Sequence, residues 1–200
     1  MWDQRYACEN YVYGTEPNDF VRESTAHVQA LGTGLNILCL AEGEGRNACY
    51  LAGLGHHVTA VDLSSVGLAK AQALAAERGV TLKTVQADLS VYQPPARHYD
   101  VVVMVFCHLP SAARPFLFEQ VRSTLKPGGL VILEGYTPRQ LEYKTGGPGN
   151  VDFMLSGQEM ADTFAGYDIV LNHEIVRTIH EGEFHSGEGA VVQFLARKPA

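Results

Sequence analysis

Ile37-Leu-Cys-Leu-Ala-Glu-Gly-Glu-Gly-Arg-Asn47 decides the fold of this chain. A short apolar strand runs into a turn with two glycines, and the turn runs straight into a helix. Gly43 and Gly45 carry no Cβ, so the backbone there can bend sharply and come close to a ligand. The helix behind the turn aims its unpaired N–H groups at the same point. The result is a cradle for a nucleotide. Asp62, seventeen residues beyond Gly45, ends the next apolar stretch, where a carboxylate can hold ribose hydroxyls. Gly43-x-Gly45-x-x-Ala48 with Asp62 also fits a dinucleotide fingerprint, so the motif alone leaves the nucleotide open.

Strands and helices alternate on both sides of this stretch. Asn36–Ala41 is the first predicted strand and Arg46–Leu54 the first helix after it, closed by Gly55. Val58–Asp62 follows as a strand. Ser64 caps an alanine-rich helix that runs to Arg78 and stops at Gly79. Thr81–Ala87 is the third strand. Asp100–Phe106 is a continuous apolar run of the kind buried on both faces of a sheet. Ser111 is expected to cap the next helix, which ends before Lys126-Pro-Gly-Gly129, and Leu130–Glu134 is the fifth strand. Ser156-x-x-Glu159 is a capping box. The β segments Ile169–Ile179 and Ala190–Arg197 are close enough to pair antiparallel. Five β-α steps with such an ending imply an α/β fold: a doubly wound, mostly parallel seven-stranded sheet with a C-terminal antiparallel hairpin. Ligands of these sheets bind at the carboxyl edge, so Glu42, Asp62, Asp88, His108 and Glu134, at or just past the strand ends, matter most.

Composition narrows the partners. A chain of 200 residues, 46% hydrophobic, suits one domain with a small cap. The net charge is −7 and no Lys/Arg run occurs, so a small molecule is a better ligand than nucleic acid. Cys8, Cys39, Cys49 and Cys107 form no C-x-x-C pair and suggest no disulfide framework, and the N-terminus lacks a signal peptide's apolar stretch. The longest strongly apolar run, Val101–Cys107, cannot span a membrane. These features predict a cytoplasmic protein without a membrane partner; they leave the oligomeric state open. No metal site is expected. Adjacent His56 and His57 point to opposite faces of a strand, and His180, Glu181, Glu183 and His185 lack ligand spacing.

With those residues in view, the chain resembles the class I S-adenosylmethionine-dependent methyltransferases over about residues 36–197. Ala41-Glu-Gly-Glu-Gly45, the acids Asp62 and Asp88, and Lys126-Pro-Gly-Gly129 carry the likeness. A narrower one, to the tellurite-resistance and thiopurine methyltransferase group, rests on Tyr13-Gly-Thr-Glu-Pro-Asn18, Gly45-Arg-Asn-Ala48, Phe106-Cys-His-Leu-Pro110 and residues 190–199. The resemblance implies S-adenosyl-L-methionine as cofactor. It implies Gly43 and Gly45 under the methionine, Asp62 on the ribose and Asp88 on the adenine. It extends the cofactor-binding set to the neighbours Tyr13, Glu42, Arg46, Asn47, Leu63, Leu89 and Phe106. Cys39 and Ala41 depart from the family, standing where an acid and a first glycine are usual; Glu42 and Glu44 are then the candidates to face the cofactor's ammonium. Residues 1–34 become a lid or cap carrying Tyr11, Tyr13 and Phe20, residues 36–134 the cofactor half and residues 135–200 the substrate half.

The implied reaction is an in-line methyl transfer to a small, soft nucleophile: a thiol, selenite or a tellurite-like anion. His108, Arg139, Arg177 and His185 are the candidates for handling that acceptor, with Arg177 alternatively paired to Glu174. An NAD(P)-dependent oxidoreductase and a non-catalytic nucleotide-binding module are the competing readings.

Overall fold

A computed structural model describes residues 2–182 and 185–200. Three short helices open the chain: α1 (Trp2–Tyr6), α2 (Asp19–Glu23) and α3 (Thr25–Gln29). There follow β1 (Asn36–Leu40), α4 (Arg46–Gly53), β2 (His57–Asp62), α5 (Ser65–Glu77), β3 (Leu82–Gln86) and β4 (Tyr99–Val105). The chain continues with α6 (Arg114–Thr124), β5 (Leu125–Tyr136), α7 (Gly157–Thr163), β6 (Asp168–Glu181) and β7 (His185–Arg197).

The seven strands form one sheet in the order β3-β2-β1-β4-β5-β7-β6. The first five are parallel; β7 runs antiparallel to both β5 and β6. Side chains alternate across each strand, so the apolar runs feed two cores. Ile37, Cys39, Val101 and Val103 join the core under α4 and α5. Leu38, Leu40, Val102 and Met104 join the one under α6 and α7. That double burial is why these strands lack polar alternation. Order reverses between β1 and β4, which opens a crevice beyond their carboxyl ends.

Several local expectations are corrected. Helical spacing in the sequence from about Asp19 to Leu31 predicts one helix; the structure breaks it at Ser24 into α2 and α3. No helix joins β3 to β4. Ser111 does not cap α6, whose N-cap is Ala113; its hydroxyl instead donates to Asp152. β5 begins at Leu125, with Lys126-Pro-Gly-Gly129 inside its span where the register with β4 shifts. Ser64 caps α5 as predicted, accepting from Gly67 N. Ser156 accepts from Glu159 N, but the Glu159 carboxylate pairs with Arg114 instead of closing the box.

Candidate functional site

The turn after β1 is built from left-handed backbone. Ala41 has φ +53° and Gly45, the N-cap of α4, has φ +89°. Glycine is required at position 45, because a Cβ there would sit 2.6 Å from the Ala71 Cβ. Asp62 staples the turn to the end of β2: one carboxylate oxygen accepts from Gly43 N and the other from Ser64 N, each at 2.8 Å. Burial raises the Asp62 pKa against those bonds. Glu42 accepts from Ala48 N in the first turn of α4 at 2.8 Å, and burial pushes its pKa up to about 7.

The N-terminal segment lies across this turn. Asp3 accepts from the Ser64 hydroxyl at 2.5 Å and so docks α1 at the start of α5. Lys70 Nζ donates to the carbonyls of Tyr6, Cys8 and Asn10 and pairs with Glu44 at 2.6 Å. The second Glu44 oxygen accepts from Val12 N at 2.8 Å. A Cβ on Gly43 would meet the Tyr6 hydroxyl at 2.5 Å, and one on Gly182 would meet the Val12 carbonyl at 2.2 Å. The segment is thus threaded between the glycine turn and the end of β6.

Between these elements lies a cavity of about 750 Å³, within the range of small-molecule sites. On the β2–β3 side it is lined by Asp62, Leu63, Asp88 and Leu89. Leu63 is 53% exposed, a flat apolar surface open to a ligand. Hydrogen bonds from the Ser90 side chain and from Ser90 N hold the exposed Asp88 carboxylate below its ordinary pKa. Glu42, Glu44, Arg46 and Asn47 line the floor. Trp2, Arg5, Tyr6 and Tyr13 line it from the N-terminal segment.

On the β4 side the walls are aromatic. Phe106, with φ +50°, stacks on Tyr136 at 4.6 Å, and the His108 ring lies parallel to Tyr136 at 5.6 Å. His185 packs on Tyr13 at 4.5 Å and on Phe106 at 4.7 Å. Burial holds the His108 pKa down at about 4 and also lowers that of His185, against the pull of Glu181.

A charged network underlies the site. The Asn18 amide donates to Glu134 and Glu181, both at 2.7 Å, while its backbone N–H donates to Asn47. Arg46 pairs with Glu181 at 2.6 Å; Arg177 forks onto Glu134 and reaches Asp19. Glu134 and Asn18 are fully buried, so these partners are what keep the charges tolerable. Arg177 is therefore a structural cation in this network. It neither lines the cavity nor pairs with Glu174, whose carboxylate accepts from Gly157 N.

The remaining sequence candidates separate clearly. Arg139 is exposed beside Glu142 and Tyr143, away from the cavity lining. Tyr11 and Phe20 pack on the core under α4 and α5; Tyr13 lines the cavity. Glu183 lies outside the described residues, and among the described residues no three His, Cys, Asp or Glu side chains gather as a metal site. Trp2, Tyr6, Asn18 and Glu181 were missed. Of these, only the density of aromatics before Phe20 gave any signal in the sequence.

Comparison with known proteins shows what the chain resembles. Residues 37–129 match the family described as "Methyltransferase domain". The phosphoethanolamine N-methyltransferase 2 of Caenorhabditis elegans is 32% identical over 137 residues, 64% of this chain and 31% of that protein. The ubiquinone biosynthesis O-methyltransferase of Paraburkholderia phytofirmans is 36% identical over 112 residues, 54% of this chain and 46% of that one. The chain thus spans less than half the length of these two relatives. The fold is shared with the crystal structure of TehB from Haemophilus influenzae, with a TM-score of 0.73 at 19% identity, covering 88% of this chain and 62% of that one. From β1 onward, over residues 37–129, the chain is similar to the methyltransferase domain family, and its seven-stranded sheet with a terminal antiparallel hairpin is the fold it shares with TehB.

Proposed function

We propose that the chain transfers a methyl group from S-adenosylmethionine to a small acceptor bound at the aromatic side of the cavity. One observation carries this reading: a single cavity joins the strand-end acids of β2 and β3 to the aromatic rim of β4 and β7. The side chains fit the cofactor in kind. Arg46 Nη1 is buried without a hydrogen-bond partner on a residue that lines the cavity, which suits a carboxylate. Glu42 suits an ammonium. Asp62 accepts two N–H bonds and keeps lone pairs for ribose hydroxyls. Leu63 and Leu89 would sandwich the adenine while Asp88 meets its amino group. Gly43, Gly45 and Asn47 would shape the floor, with Tyr13 and Phe106 beside the reacting methyl.

Bound cofactor supplies an electrophilic methyl on a sulfonium. The chain itself has to align the acceptor and exclude water. Residues 1–34 serve as the cap, residues 36–134 hold the cofactor, and residues 135–200 face the acceptor. The narrower resemblance supports a soft acceptor, such as a thiol or a selenite- or tellurite-like anion, and a cytoplasmic setting. No helix among the described residues is long and apolar enough to cross a membrane.

Calorimetry with S-adenosylhomocysteine and NAD tests the proposal. Binding of the first and not the second is expected, and NAD binding alone would overturn it. Asp62→Ala should weaken S-adenosylhomocysteine by about 1–3 kcal/mol, the cost of lost charge-assisted hydrogen bonds. Unchanged affinity would remove Asp62 from the site.

A further inference from the structure

The structure points to His108 as the proton acceptor for an aromatic acceptor molecule that carries its own ionisable X–H group, a thiol or a phenolic hydroxyl. This rests on the methyltransferase reading and narrows it.

Two observations fix the role of the ring. His108 Nδ1 lies 3.3 Å from the Phe153 carbonyl oxygen. A carbonyl can only accept, so Nδ1 carries the hydrogen and Nε2 is left with a lone pair. That Nε2 is buried and has no hydrogen-bond partner among the described residues, on a residue that lines the cavity. An unsatisfied buried acceptor is costly unless a ligand satisfies it. The partner it calls for is a donor, which a selenite- or tellurite-like dianion does not offer. The surroundings say what the donor is attached to. Phe106, His185 and Tyr13 present ring faces and edges, and Tyr136 backs His108 in parallel. Flat rings fit such walls by stacking and edge contacts.

The step balances. The acceptor's X atom forms a bond to the methyl carbon, and the carbon–sulfur bond breaks with its electron pair staying on sulfur. The positive charge that leaves the sulfonium would reside on X, and it departs as the X–H proton to Nε2. A proton on a methylated, positively charged X is very acidic, so a weak neutral base suffices. Among the described residues, the groups facing the ring are Phe106, Tyr136 of β5, His185 of β7 and the Phe153 carbonyl; none of these is a carboxylate that would hold His108 protonated.

The test uses the full chain labelled with 15N-histidine, the His108→Phe variant assigning the His108 signals. At pH 7 the Nδ1–H, Nε2-lone-pair tautomer is expected. Adding 2-naphthol should shift Nε2, with and without S-adenosylhomocysteine, while naphthalene should not. A protonated Nε2, or no distinction between the two probes, would overturn the proposal. With S-adenosylmethionine and thiophenol or 2-naphthol, His108→Phe should lower kcat at least 100-fold at acidic pH. The deficit should shrink as pH rises through the acceptor's own pKa. Turnover of selenite in preference to both, or an undiminished variant, would also overturn it. Calorimetry with S-adenosylhomocysteine is read separately: failure there sinks the methyltransferase reading, whereas intact binding in both proteins with no Nε2 response sinks only the role of His108.

Discussion

Ala41 and Glu42 show how much one turn asks of individual residues. Ala41 has φ +53°, a conformation that costs a residue with a Cβ about 1–2 kcal/mol. Ala41→Gly should therefore raise stability by up to about 1 kcal/mol after the added flexibility of glycine is subtracted, as read from urea midpoints. Glu42 is pushed from an ordinary 4.5 to about 7 by burial. The folded chain then keeps a proton that the unfolded chain has lost, so stability falls as pH rises from about 4.5 to 7. Glu42→Gln should flatten that slope and leave the protein more stable than the parent at pH 8. In the parent, a cofactor ammonium beside Glu42 should expel the proton, so the heat of S-adenosylhomocysteine binding at pH 7 should change with the buffer's ionisation enthalpy.

Among the elements, α1 and the segment behind it have separable roles. Deleting residues 1–10 removes Trp2, Arg5 and Tyr6 from the cavity wall but leaves Val12 on Glu44 and Asn18 in its network. Affinity for S-adenosylhomocysteine should fall by about tenfold, roughly 1.4 kcal/mol, with little change in melting temperature. Asn18→Ala should do the reverse, costing about 1–3 kcal/mol of stability by stripping a donor from two buried carboxylates. The strands and helices were legible because their signals are local: apolar runs, the Ser64 cap, the glycine after a helix. The Asn18–Glu134–Glu181–Arg177 network was not. Its members are polar residues scattered over more than 160 positions, and nothing nearby in the chain distinguishes Asn18 from a loop asparagine. The left-handed backbone at Phe106 was equally opaque, since a phenylalanine gives no warning of a positive φ.

For the molecule as a whole, buried histidines oppose Glu42 in the response to acid. His108 sits near pKa 4 in the folded chain against 6.5 in the open one. As pH falls from 6.5 towards 4 the unfolded chain takes up a proton that the native one refuses, and stability drops. Between pH 7 and pH 5 the change in urea midpoint should be less favourable in the parent than in His108→Phe, the Glu42 contribution being common to both. The network beneath the cavity also has a temporal meaning. Asn18 is synthesised well before one of its two carboxylate partners, Glu181, which lies 163 residues later. Before that, the strap can already dock through Ser64, Lys70 and Glu44, and the amide has Glu134, but its second acceptor is missing. The buried network under the chamber is thus complete only when the closing hairpin has been synthesised.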